Sequence, residues 1–172
     1  LSARGFTLLE LVVVVAVVGI MTGFALDRLP PLIGRAERAA FVQVQAQLRS
    51  ALLLEAAERV TKGESAALAE LSAVNPMALL LDAPANYVGA IDAPGPVLLP
   101  PRSWYYDVRN GRLVYKVGKH ARFEPLRGPR DRVEFVVEFV YRDRDGDDVF
   151  NPSRDDFHGL RLSSVYAYRW PD

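Results

Sequence analysis

Arg4-Gly5-Phe6-Thr7-Leu8-Leu9-Glu10-Leu11-Val12-Val13-Val14-Val15-Ala16-Val17-Val18-Gly19-Ile20-Met21 is the stretch from which the rest of the chain has to be read. From Leu8 to Leu26 the only ionisable residue is Glu10. A helix built from such residues is apolar on every side and cannot lie on a water-facing surface. Its length matches the roughly 20 residues that cross a bilayer core at about 1.5 Å each. β-branched residues are mediocre helix formers in water, but in lipid the backbone must satisfy its own hydrogen bonds, and helix wins.

Two readings of this run stand beside a functional one. The first is a secretory signal peptide, with Arg4 as its basic start and Gly23-Phe24-Ala25 as a small-x-small cleavage site. The second is a single-pass anchor with no further role. Charge does not fix the orientation, because Arg4 lies on one side while Arg28, Arg35 and Arg38 lie on the other.

Downstream, Pro30-Pro31 removes two N–H donors and predicts a kink or short break. Leu32 to Thr61 then reads as an amphipathic helix. Ile33, Ala36, Ala40, Val44, Leu48, Ala51, Leu52 and Glu55/Ala56 follow the stripe spacing, and Arg35, Arg38, Gln43, Gln45, Gln47, Arg49 and Glu58 supply most of the polar face. Lys62-Gly63 supplies the stop. Ser65 to Leu71 reads as a short helix capped by Ser65, and Asn75-Pro76 opens another turn. Five prolines and two glycines between Ala83 and Pro101 predict loop, with at most a short strand at Tyr87 to Ile91.

From Ser103 the pattern becomes β. Ser103 to Val108 and Leu113 to Val117 flank Asn110-Gly111, a strong hairpin signal. Arg132 to Tyr141 alternates, with Val133, Phe135, Val137, Phe139 and Tyr141 on one face and Glu134 and Glu138 on the other. Gly159 to Trp170 reads as a fourth strand. The expected fold class is α+β: a long N-terminal helix packed on a small antiparallel sheet. The expected organisation is residues 1–5 as leader, 6–29 as transmembrane helix, 30–62 as stalk helix and 63–172 as globular head.

Composition narrows function. The 172 residues carry no net charge, which argues against a general nucleic-acid binder. No cysteine is present, so disulfides and thiolate chemistry are excluded. The two histidines, His120 and His158, read as surface residues. No nucleophile elbow, phosphate loop or dinucleotide fingerprint occurs, and an enzyme is not expected. Trp104, Tyr105, Tyr106 and Tyr115 read as half core and half sheet surface, against a partner-binding aromatic face. Asp143, Asp145, Asp147 and Asp155, around Gly146, read in either of two ways. One is a Ca²⁺-wrapping loop; the other is a solvated turn neutralised by Arg142, Arg144 and Arg154.

The segment Arg4 to Glu10, continued through Ile20, resembles the cleavage and methylation motif of type IV prepilins and type II secretion pseudopilins. The resemblance implies a pilin fold and cutting after Gly5 by a prepilin peptidase that also methylates the new amine of Phe6. It further implies assembly with other pilin or pseudopilin subunits on an inner-membrane platform, with the head in the periplasm or in an extracellular filament. Such a chain serves a type IV pilus, type II secretion or DNA uptake. Glu10 sits about one turn in from the new amine. A carboxylate in a membrane helix costs about 2.5–3.5 kcal/mol on insertion scales. On chemistry alone it either pairs with another subunit's amine or snorkels to the headgroups; the resemblance favours pairing, which sets axial register. The lack of cysteine, and prolines a few residues later than is usual, favour a minor pilin or pseudopilin. The acidic loop gains weight as a Ca²⁺ site from the same likeness. The alternatives are a membrane-anchored binding module that does not polymerise and a soluble exported protein starting at Leu26.

Overall fold

The computed structural model describes residues 6–92 and 99–171, the Asp27 side chain aside. One helix, α1, runs from Leu8 to Thr61 over 54 residues. Pro30 and Pro31 lie inside it, so the expected break does not occur. Proline's fixed φ suits a helix, and the cost of the pair is two missing N–H bonds rather than an end to the helix. The expected stop is found: Lys62 closes the helix through its N–H to the Glu58 carbonyl, and Glu64 N–H reaches back to Arg59.

Two 3-10 helices follow, Ser65–Ala73 and Pro76–Leu79. Ser65 is not a cap; Glu64 occupies that position and makes no side-chain capping bond. Asn75 does cap its turn, accepting from Met77 N–H.

The strands are β1 (Tyr87–Ile91), β2 (Ser103–Asp107), β3 (Arg112–Lys116), β4 (Glu124–Pro125), β5 (Arg132–Arg142), β6 (Asp156–Ser164) and β7 (Tyr168–Arg169). The main sheet has the order β1-β2-β3-β5-β6. It is antiparallel except at its edge, where β1 runs parallel to β2, so the expected all-antiparallel sheet is corrected to a mixed one. The expected fourth strand is also two pieces. Its first half is β6; its second half, β7, leaves the main sheet to pair with β4 in a separate ribbon.

The hairpin β2–β3 forms where Asn-Gly predicted it, but with a four-residue connection between the paired Asp107 and Arg112. Only Gly111 uses positive φ, at 60°. Asn110 instead donates its N–H and its amide to the Asp107 carboxylate, so the turn is closed by that side chain.

The core lies between α1 and the sheet. Phe41, Val44, Leu48 and Leu52 of α1 meet Trp104, Tyr106, Leu113, Tyr115, Phe135 and Trp170. Phe41 stacks on Trp104 at 5.4 Å and 10° and lies 4.7 Å from the Trp170 ring. A second cluster gathers Ala56, Leu68 and Leu71 under Phe139, Phe157 and Leu160. The buried stripe of α1 differs from the expected one near its start. Ala36 and Ala40 are exposed, while Glu37 and Phe41 are buried. Gln45, expected on the polar face, is buried with its amide on the Tyr168 hydroxyl, and Arg38 Nε donates to the Trp170 carbonyl at 2.8 Å. These two bonds tie the C-terminal segment beneath the helix.

Glu37 is the least expected core residue. Its Oε1 accepts from the Tyr115 hydroxyl at 3.1 Å and from Gly118 N–H at 2.7 Å. Burial, and then the Glu37 carboxylate, hold the Tyr115 hydroxyl far above its usual range, so it remains a donor.

Candidate functional site

The N-terminal segment carries the residues singled out for processing and assembly. Gly5 lies outside the described residues. Phe6 and Thr7 are extended and lead into α1. Thr7 is its N-cap, with the side-chain oxygen accepting from Glu10 N–H at 3.2 Å and the carbonyl accepting from Leu11 N–H at 3.1 Å. Sequence reasoning gave Thr7 no role. The Thr-x-x-Glu spacing of a capping box was the signal that marks it.

Glu10 is exposed in the first turn of α1. Its carboxylate makes no hydrogen bond or ion pair among the described residues. The helix N-terminus favours a negative charge there, and the orphan N–H groups of that turn face the same end. Around and beyond it the apolar surface is open: Leu11 is 54% exposed, Val14 46% and Ile20 62%. The helix is long and apolar enough in this part to cross a membrane, and none of that stretch is buried by the rest of the chain. The arrangement presents a naked apolar cylinder with one carboxylate near its tip, a surface made for lipid or for other helices.

The acidic loop joins β5 to β6. Asp143 folds it: Oδ1 accepts from Asp145 and Gly146 N–H, and Oδ2 from Asp148 N–H. The amides of Asp148 and Gly146 hold the Asp143 carboxyl below the usual aspartate range. Carboxylate oxygens of Asp143, Asp145 and Asp147 come within 4.8 Å of one another. These are hard oxygen donors of the type Ca²⁺ takes. Asp155 stands apart from that group. It is buried, and its two oxygens accept Arg144 N–H and Asn151 N–H, which closes the base of the loop. Arg154 pairs with Asp145 at 3.1 Å and Arg144 with Asp156 at 2.6 Å.

The aromatic group does not divide into core and surface as expected, because all four residues are buried. Trp104, Tyr106 and Tyr115 enter the core, and Tyr105 faces the opposite side of the sheet. His120 and His158 are exposed.

The family model for the prokaryotic N-terminal methylation motif matches residues 1–26. That motif is the signature of type IV pilin and pseudopilin families. No curated protein and no solved structure matches the chain.

Proposed function

We propose that this protein is a structural subunit of a type IV pilus or type II secretion pseudopilus, minor or pseudopilin-like in kind. It is cut after Gly5 by a prepilin peptidase that methylates Phe6, and it assembles through α1. The observation that carries the reading is the methylation motif on the exposed apolar half of a helix whose other half is built into the head. In the membrane the head lies on the periplasmic side, held by the inner-membrane span, and the assembly platform draws α1 into a filament.

Within that reading Glu10 sets register. The new amine at Phe6 of one subunit meets the carboxylate of its neighbour, and the valine-rich surface supplies packing that is indifferent to axial position. The geometry supports this through an exposed carboxylate that has no partner among the described residues. Glu10→Ala tests it: the variant is expected to be processed and to remain in the membrane but to be lost from sheared filaments. Normal incorporation would overturn the register role.

A subsidiary proposal is that Asp143, Asp145 and Asp147 hold Ca²⁺, supported by three converging carboxylates on a loop already folded by Asp143 and Asp155. Calorimetric titration of the full chain decides it. Saturable heat that Asp145→Asn abolishes supports the ion, and no heat at about 1 mM, within the range of extracellular modules, overturns it.

A further inference from the structure

The sheet has a second face, turned away from α1. On it β2 places Tyr105 and Asp107, β3 places Arg112, Val114 and Lys116, and β5 places Arg132 and Glu134, in one cross-strand array. Exposed sheet faces of small domains carry loose, solvated polar side chains. Here the carboxylates and Tyr105 are covered while the cations are half-buried: Asp107 and Glu134 are each 7% exposed and Tyr105 is 6% exposed. A cavity of about 360 Å³ opens over it, bounded by Leu99 on one side and by Pro129 and Tyr166 on the other. That volume falls at the lower end of the range for small-molecule sites, about 300–1,000 Å³.

Glu134 is the centre of the charge array in this cleft. Glu134 is gripped from both sides, by Arg112 at 2.6 Å and by Arg132 at 2.8 Å. Lys116 donates to the Leu99 carbonyl at 2.8 Å. Arg112, Lys116 and Arg132 are balanced by Asp107, Asp131 and Glu134, so the lining is neutral as a whole. Because the charges of the lining cancel, an ionic ligand gains no net attraction from it and meets a like charge beside each counter-charge. A neutral ligand whose groups both donate and accept meets donors and acceptors side by side.

Two tyrosines complete the site. The Tyr105 ring packs with Leu99 and Val114 and is flanked by Ile91. Its hydroxyl makes no hydrogen bond among the described residues, although the residue lines the cavity and is almost fully buried. The hydroxyl faces the cavity and can both donate to and accept from whatever occupies it. Tyr166 stands at the rim with its hydroxyl beside the Arg112 guanidinium. Its ring lies so close over Gly128 that a Cβ there would run into it, and Gly128 has φ 82°. Glycine thus permits an aromatic face to be held at the edge of a hydrogen-bonding floor.

We propose that this cleft binds a neutral saccharide. Vicinal hydroxyls accept from the guanidinium and ammonium groups while donating to the carboxylates and to Tyr105, and the sugar's C–H face lies against Tyr166. The inference stands apart from the assembly role, since it concerns a face of the head that α1 does not touch.

The test uses the full chain in a detergent without a sugar headgroup, probed with cellobiose, lactose and maltose by saturation-transfer NMR, with inorganic phosphate and galacturonate as charged controls. Saturable binding of at least one neutral disaccharide is expected. Tyr105→Phe, which keeps the ring packing and removes an unpaired hydroxyl, is expected to weaken binding about tenfold with the melting temperature unchanged or raised. Tyr166→Ala is expected to weaken it as well. Absence of saturable binding by all three disaccharides at about 20 mM, far above a millimolar Kd, would overturn the proposal. So would binding of the charged controls alone, or binding that both variants leave intact.

Discussion

The two halves of α1 share one backbone and differ in every other respect. From Leu8 to Leu26 the side chains are apolar except at Glu10 and Thr22 and exposed all round, with Phe24 70% and Met21 67% accessible. From Gly34 onward the same helix buries one stripe completely, with Phe41 at 2%, Leu48 at 0% and Leu52 at 1%. The first half has no surroundings among the described residues, and its apolar surface suits lipid or other helices. The second half is held by a particular sheet. Substitutions in the second half should therefore be felt as head stability, and those in the first half as membrane and assembly behaviour.

The strongest way to break this contrast is to pair Phe41→Ala with Val13→Ala. Phe41 contacts the rings of Trp104, Tyr115 and Trp170. Its loss is expected to cost about 3–5 kcal/mol of head stability. Val13→Ala is expected to leave head unfolding, followed by near-UV circular dichroism in detergent, unchanged. Equal effects of the two would dissolve the distinction.

Glu37 sharpens it next. Glu37→Ala strands the Tyr115 hydroxyl and Gly118 N–H, and is expected to cost about 1–3 kcal/mol. Glu37→Gln keeps an acceptor and should cost less. If thermal melts show that both variants are neutral, the buried carboxylate does not hold helix to head.

At the other end, Thr7→Ala removes the cap and is expected to cost about 1 kcal/mol, read as faster amide exchange at Glu10 with the head unaffected. The smallest effect concerns the acidic loop. Asp143 is depressed in the folded chain, so its contribution is present above the unfolded aspartate value of about 3.9 and is lost as pH falls through the lower folded value. The Gly146 and Asp148 amide resonances should hold their positions down to about pH 4 and move below it. Movement centred on an ordinary aspartate titration would remove Asp143 as the loop's organiser.

What was legible in the chain follows the same division. The apolar half of α1 needed composition alone, because an apolar helix of that length asks for nothing more. The β2–β3 hairpin and the alternation of β5 were equally open, since both are local patterns. The stripe of the second half was not. Periodicity gives an apolar face to within a turn, and the small residues Ala36 and Ala40 outvoted Glu37 on polarity. Glu37 is buried because of groups 78 and 81 residues away, which no local rule reaches. The parallel edge strand and the departure of β7 to β4 were hidden for the same reason: each depends on which distant strand offers a free edge. At the candidate site Glu10 was plain from its isolation in an apolar run, whereas Thr7 was visible only as a capping pattern. The charge array around Glu134 was beyond reach, because nothing local to Arg112, beside the turn, or to Arg132, at the start of another strand, points to a shared carboxylate.

The central claim is that this chain is processed at its motif and built into a filament through α1. Mass spectrometry of the N-terminal peptide from the membrane-extracted protein tests it most directly. The account predicts a peptide beginning at Phe6 and carrying an N-methyl group. A peptide that retains Arg4-Gly5, or one that begins at Leu26, would contradict it.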